Sequence, residues 1–150
     1  MKRPAYETRP NAEKTLFEFE SNGEKGTIPK IVLFDREGEQ LWNLAFGDKI
    51  AGFEFDDKVI TNNKDLWTVI QTIANIVHEF LEAHPGHMIQ IRPVDAKRKM
   101  LYNAIFRRKW AEIKTSFTVF AVSMTAFGPY NPQNDYEIFV VSKKWGSFEK

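Results

Sequence analysis

The chain has 150 residues, of which 43% are hydrophobic and 27% charged, and this is the composition of a folded domain rather than of a disordered segment. It contains no cysteine, which excludes disulfides, thiolate metal sites and cysteine nucleophiles. The formal net charge is only +1. The apolar runs are too short to span a bilayer and the amino terminus lacks a signal-peptide core, so we expect a cytoplasmic protein without a membrane segment.

The first part of the chain reads as a tail followed by strands. Residues 1–14 are polar and contain two prolines, which predicts a flexible tail before a single domain at residues 15–150. Three segments rich in β-branched or aromatic residues follow, separated by turn-like sequences, and this order predicts an antiparallel meander. The segments are residues 15–20, 27–34 and 41–46, with residues 53–60 as a candidate for a further short strand.

The clearest helical pattern covers residues 65–84. Apolar residues recur there at positions i, i+3, i+4 and i+7, which predicts an amphipathic helix. Asn62 or Asn63 is expected to cap its first turn, and Pro85-Gly86 to end it.

The last part of the chain predicts a strand, a second helix and two more strands. Residues 87–92 alternate as in a strand, and Asp95 is the expected cap of the helix that follows. The apolar side of this helix is predicted to carry Ala96, Met100, Leu101, Ala104 and Ile105, and Trp110 and Ile113 are candidates to continue it. Residues 117–124 and 136–142 are the final strands. The order β-β-β-(β)-α-β-α-β-β indicates an α+β domain with two main helices and one mixed, largely antiparallel sheet.

Charge is distributed unevenly along the chain. Acidic residues dominate residues 35–57, whereas basic residues dominate residues 92–114. Lys97, Arg98 and Lys99 fall in the first turn of the second helix, where the helix dipole disfavours cations. This placement is explained either by an anionic ligand or by an ordinary solvated helix face.

The candidate ligand-binding residues share polar or basic side chains near strand ends and helix entrances. They are Asn43, Asp48, Asn62, Asn63, Arg92, Lys97 and Arg98. Helix capping is the structural alternative for the two adjacent asparagines, and a turn is the alternative for Asn43 and Asp48. The three histidines are not spaced as metal ligands, so no metal site is predicted.

Nucleic acid is a further candidate partner. Arg107-Arg108-Lys109 precedes Trp110, and cations beside an aromatic ring are suited to phosphate contact and base stacking. The sequence pI of about 7.9 is, however, lower than that of a typical nucleic-acid-binding domain.

Four short motifs occur in an order that resembles a bacterial domain family of unknown function. They are the strand–glycine–strand segment at residues 17–30, Asn43-Leu44-Ala45-Phe46-Gly47-Asp48, Thr61-Asn62-Asn63, and Lys97-Arg98-Lys99-Met100-Leu101-Tyr102. The resemblance covers residues 16–144 and implies no particular activity.

The order of elements is also similar to the central and carboxy-terminal part of the GNAT-superfamily N-acetyltransferase fold. This resemblance implies that the pyrophosphate of an acyl-CoA would lie at residues 61–66 and that Tyr102 would protonate the departing thiolate. The chain departs from that pattern, because residues 59–64 contain no glycine for close backbone approach, Asp95 replaces an asparagine and Phe106 replaces a glycine.

Three functional hypotheses follow. The leading one is a non-catalytic binding or interaction module with a polar and basic cleft for an anionic small molecule or protein partner, and no cofactor. The first alternative is an atypical acyl-CoA-dependent N-acyltransferase that uses acetyl-CoA and has Tyr102 as general acid. The second is a nucleic-acid-associated or toxin-like protein. The sequence leaves the oligomeric state open.

Overall fold

The computed structural model describes residues 4–51, 54–56 and 63–144, which form nine strands and three helices. The strands are β1 (Arg9–Pro10), β2 (Leu16–Gly23), β3 (Gly26–Arg36), β4 (Leu41–Ala51), β5 (Glu54–Asp56), β6 (Met88–Ile91), β7 (Phe117–Val122), β8 (Phe127–Pro129) and β9 (Ile138–Lys143). The helices are α1 (Leu66–Ala83), α2 (Ala96–Arg108) and α3 (Trp110–Ser116). The rest of the strand predicted at residues 53–60 lies outside the described residues.

The strands confirm the predicted α+β class. Their order is β1-β2-β3-β4-β6-β9-β7-β8, with β5 paired to β4. Among the described pairings, β4 with β6 is parallel and the others are antiparallel, as expected for a mixed, largely antiparallel sheet. The short strands β1 and β8 were not predicted from the sequence.

The chain divides into two compact units. The first unit contains residues 1–35 and 44–84, and the second contains residues 36–43 and 85–150. The first unit therefore holds α1 with β1, β2 and β5, and the second holds α2 and α3 with β6 to β9. Within the described part of the chain, no helix has both the length and the hydropathy needed to cross a membrane.

Aromatic packing forms the core of the first unit. Alternate residues of β2, including Phe17 and Phe19, are buried, as the period of a strand requires. Helix α1 begins at Leu66, one residue after the predicted start. Its buried side presents Phe80, whose ring stacks on Phe34 with centroids 4.1 Å apart.

The segment predicted as a tail contributes to this unit as well. The Tyr6 ring stacks on Phe19 with centroids 5.9 Å apart, and its backbone N–H donates to Thr72 Oγ1 at 2.8 Å. Strand β1, which begins three residues after Tyr6, pairs with β2. The low hydrophobicity of this segment gives no sign of these contacts, because they come from one aromatic ring and from the backbone.

In the second unit, α2 lies against β9. The Phe106 ring stacks on Phe139 with centroids 4.2 Å apart, and Tyr130 and Trp110 extend this aromatic group. The predicted continuation of α2 through Trp110 is wrong, because Lys109 ends α2 and a separate helix, α3, follows.

Candidate functional site

The entrance of α1 is held by a buried asparagine. Asn63 is 1% exposed, and its side-chain amide donates to Ser21 Oγ at 3.1 Å and to the Gly26 carbonyl oxygen at 2.9 Å. The backbone N–H of Lys25 donates to Asn63 Oδ1, and that of Glu24 donates to the Asn63 carbonyl oxygen. Asn63 is therefore engaged with the turn between β2 and β3, and this fixes the chain just before α1.

Asp65 stands at the N-cap of α1. The predicted capping by Asn63 is wrong, and Asn62 lies outside the described residues. The Asp65 carboxylate makes no capping hydrogen bond; it accepts one from the Tyr6 hydroxyl at 2.6 Å and one from Ser21 Oγ at 2.5 Å. The carboxylate thus joins the amino-terminal segment and β2 to the start of the helix.

Asp48 lies inside β4, because the turn predicted around Phe46-Gly47 does not form and the strand continues through it. Its Oδ1 accepts a hydrogen bond from Lys30 Nζ at 2.5 Å. The Lys30 side chain is buried, and its ammonium lies 5.7 Å from the centre of the Phe46 ring. Asp48 therefore neutralises a cation that would be costly to bury alone.

In the second unit, Asp95 caps α2 as predicted and also pairs with a buried arginine. Its Oδ1 accepts from the backbone N–H of Arg98 at 2.8 Å, and its Oδ2 accepts from the Arg98 guanidinium at 2.7 Å. Arg98 is only 5% exposed. One of the backbone amides that could bind an anion at this helix end, that of Arg98, is therefore occupied by the chain's own carboxylate.

Two further residues of α2, Asn103 and Lys99, fix the helix to the segment before β9. Asn103 Nδ2 donates to the Tyr136 carbonyl oxygen at 3.0 Å, and the Tyr136 N–H donates to Asn103 Oδ1 at 2.8 Å. Lys99 forms an ion pair with Glu137. Tyr102, the candidate general acid, is half-buried on the same helix. The contacts of Asn103 and Lys99 place this side of α2 against the segment before β9 and leave the opposite side exposed.

The exposed side of α2 combines cations with apolar residues, and we call it the α2 surface. It consists of Lys97, Met100, Ala104 and Arg108, together with Val94 in the loop before the helix. Met100 is 76% exposed and Val94 is 50% exposed. The prediction that Ala96, Met100 and Ala104 belong to a buried apolar side is wrong, because Arg98 and Asn103, each with its polar partner, occupy the buried side instead.

A small pocket adjoins the α2 surface. Its volume is about 270 Å³, and its lining residues are Pro93, Val94, Asp95, Ala96, Lys99 and Glu137. Ala96 precedes Met100 by one helical turn, so the pocket and the exposed Met100 follow one another along α2. Sites for small-molecule ligands usually enclose about 300–1,000 Å³, so this pocket lies below that range.

The two units have opposite net charge. The second unit contains twelve Lys and Arg residues against seven Asp and Glu residues, which gives a net charge of +5. The first unit contains nine against thirteen, a net charge of −4. The small total charge of the chain therefore conceals a basic unit that carries the α2 surface.

The predicted site residues fall in both units. Asn63 and Asp48 belong to the first unit, whereas the others that the structure describes belong to the second; they are Asn43, Arg92, Lys97, Arg98 and Tyr102. Lys97 and Arg92 have exposed side chains, and Asn43 pairs in register with Gln90 of β6. The consecutive cations of α2 have different environments, because Lys97 is exposed, Arg98 meets Asp95 and Lys99 meets Glu137.

Met100 was missed as a surface residue, although the sequence carried a signal for it. Lys97, Met100, Ala104 and Arg108 are spaced at i, i+3, i+7 and i+11, which places them on one face of a helix. A face with a cation at each end is an exposed face, since lysine and arginine are seldom buried without a partner. Asn103 gave no comparable signal, because its partner, Tyr136, is 33 residues away.

The acyltransferase alternative depends on the entrance of α1 and on Tyr102. Residues 61 and 62 lie outside the described residues, and Asn63 is engaged with the β2–β3 turn. Acetyl-CoA binding, Tyr102 as general acid and a nucleic-acid or toxin-like role therefore stay predictions. Where the chain is described, no group of three His, Asp or Glu side chains is placed to hold a metal ion.

The fold and this surface define an α+β protein with an acidic unit and a basic unit. Residues 2–144 match the model of DUF6934, a family of unknown function, and the chain belongs to that family. This match confirms the resemblance to a domain family of unknown function. No curated protein and no solved structure matches the chain.

Proposed function

We propose that this protein is a non-catalytic binding module that recognises an anionic partner through the α2 surface and the neighbouring Arg92. The single observation that carries the proposal is the exposed side of α2, where Lys97 and Arg108 bracket Met100 in a unit with a net charge of +5. A surface of one sign attracts an oppositely charged partner and raises the rate of encounter.

The surroundings of the α2 surface favour binding over catalysis. Asp95, Glu137 and Lys99, the charged residues that line the pocket, are engaged in ion pairs with side chains of the same unit. Such pairs support a rigid surface, whereas a general acid or base has to exchange its proton with a substrate. The volume of the pocket, about 270 Å³, also favours a partner that binds across the surface over an enclosed small molecule.

The test is binding of labelled anionic polymers, namely polyglutamate and single-stranded RNA, measured by fluorescence anisotropy at about 50 mM salt, where surface charges are weakly screened. We expect at least one polymer to bind, with an affinity that falls as salt is added. Lys97→Glu is expected to weaken binding about tenfold, because it reverses a charge on the recognition surface.

Lys25→Glu is the matched control, because Lys25 is an exposed lysine of the first unit and the substitution changes the net charge equally. It is expected to leave the affinity nearly unchanged. If neither polymer binds, or if the two variants weaken binding equally, the proposed function is wrong.

A further inference from the structure

We propose that the partner recognised by the α2 surface is an acidic protein segment that carries an apolar side chain, and not a nucleic acid. This inference rests on the proposed function and specifies its partner. It is carried by the distribution of charged and apolar groups on α2 and beside it.

The α2 surface has charged ends and an apolar centre. Lys97 and Arg108 are eleven residues apart, which corresponds to about 16 Å along a helix axis. Met100 and Ala104 lie between them and are both exposed. An acidic segment with carboxylates on both sides of an apolar residue matches this order, because each group then meets one of complementary character.

The pocket gives the apolar side chain of the partner a place to bind. Pro93, Val94 and Ala96 supply apolar lining at one end of the α2 surface, next to Met100. An unbranched methionine adapts its shape to different neighbours, and methionine and arginine are enriched at protein interfaces. A single exposed apolar residue is ordinary, but Val94 and Met100 beside a concave surface form an anchor site.

A nucleic acid fits the same surface less well. It presents a phosphate at every nucleotide and therefore favours an uninterrupted series of cations. Around α2, several cations already face carboxylates of the protein: Lys99 meets Glu137, Arg107 meets Asp135 and Lys109 lies 3.8 Å from Glu112. These carboxylates would repel a row of phosphates, whereas a short acidic segment can place its few charges away from them.

The experiment compares three labelled probes with the intact protein. The first is an acidic peptide of Asp and Glu with a central leucine, the second is the same peptide with alanine in place of leucine, and the third is a single-stranded RNA of equal charge. We expect the leucine peptide to bind most tightly of the three probes, because it alone matches both the charged ends and the apolar centre of the α2 surface. Replacing its leucine by alanine is expected to weaken binding about fivefold.

Two pairs of variants locate the contact. Lys97→Glu is expected to weaken binding of the leucine peptide about tenfold, while Lys25→Glu leaves it unchanged. Met100→Ser is expected to weaken it about threefold to fivefold. Met124→Ser removes a still more exposed methionine from the β7–β8 connection of the same unit and is expected to have no effect.

The possible failures separate the two proposals. If RNA binds more tightly than the leucine peptide and Lys97→Glu weakens that binding, the proposal of an acidic protein segment is wrong. The proposal that α2 recognises an anionic partner would then stand. Equal binding of the two peptides, with no effect of Met100→Ser, would overturn the apolar anchor. If no probe responds to Lys97→Glu more than to Lys25→Glu, both proposals are wrong.

Discussion

Gly23 approaches Asn63 more closely than a residue with a Cβ atom would allow. A Cβ at this position would lie 1.9 Å from the Asn63 carbonyl oxygen and 2.9 Å from its Cγ. Real Cβ contacts are longer than this, so any side chain here must push the hairpin turn away from the entrance of α1. The glycine is required for close approach, and no positive φ is involved.

We therefore expect Gly23→Ala to destabilise the protein by about 3 kcal/mol, because the shift also breaks the buried hydrogen bonds of Asn63. Gly128→Ala is the control: a Cβ there meets nothing within 4 Å, so its effect should stay within about 0.5 kcal/mol. Urea unfolding of both variants measures the difference. Similar midpoints for the two would contradict the close contact.

Tyr6, at the entrance of α1, makes the stability of the fold depend on pH. Burial raises the pKa of the Tyr6 hydroxyl above its usual value of 10.0, and the hydrogen bond to the Asp65 carboxylate raises it further. The folded state thus keeps the phenolic proton at a pH where the unfolded state loses it. The resulting stabilisation is complete below about pH 10 and is lost as the pH rises through the raised pKa.

We expect Tyr6→Phe to lower stability at neutral pH, because the Asp65 and Asn22 hydrogen bonds are lost, and to make stability fall less steeply above about pH 10. Urea unfolding of both proteins across that range provides the measurement. Part of the alkaline slope should remain in the variant, since burial also raises the pKa of Tyr130. Parallel curves for variant and wild type would rule out the contribution of Tyr6.

At the scale of elements, α2 is set in place by polar contacts on its buried side. Arg98 and Asn103 occupy positions that a simple amphipathic helix would give to apolar residues. Asp95 and Tyr136 supply their hydrogen-bonding partners, which makes burial of these polar groups tolerable. Because the helix turns Arg98 and Asn103 toward the interior of the unit, its opposite side, with Met100, is exposed to solvent. The orientation of the helix thus explains both the buried polar contacts and the α2 surface.

Removing Asp95 should therefore cost more than removing its partner. Asp95→Ala takes away the helix cap and leaves the Arg98 guanidinium buried without its carboxylate, at an expected cost of about 2 kcal/mol. Arg98→Met leaves a carboxylate that is 46% exposed and can be hydrated, so about 1 kcal/mol is expected. A double-mutant cycle measured by urea unfolding tests the coupling, and strictly additive losses would show that the pair does not interact.

At the scale of the whole molecule, the two units carry net charges of opposite sign. A net charge of +1 is the balance of −4 in the first unit and +5 in the second. The uneven distribution was visible in the sequence as an acidic stretch at residues 35–57 and a basic stretch at residues 92–114. The sequence did not show how this charge is divided between the two units, because residues 36–43, which lie in the acidic stretch, group with the basic carboxy-terminal half.

Most of the fold was predictable because long periodic segments dominate it. The apolar period of α1 and the alternation in β2 and β7 each reflect burial on one side, and this pattern can be read from a single sequence. The elements that were missed are short: β1 and β8 have two and three residues, too few for a period to appear. The single-residue break between α2 and α3 was missed because Lys109 carries no glycine or proline signal.

The sequence by itself determined the α+β class, the position of both long helices, the Asp95 cap and the basic character of α2. These are local properties, set by residues within a few positions of one another. Only the tertiary structure decided that Asn63 holds a hairpin turn, that Asp48 neutralises Lys30 and that Asn103 turns Met100 outward. Each of these depends on a partner at least 18 residues away, and a polar residue alone does not indicate whether such a partner exists.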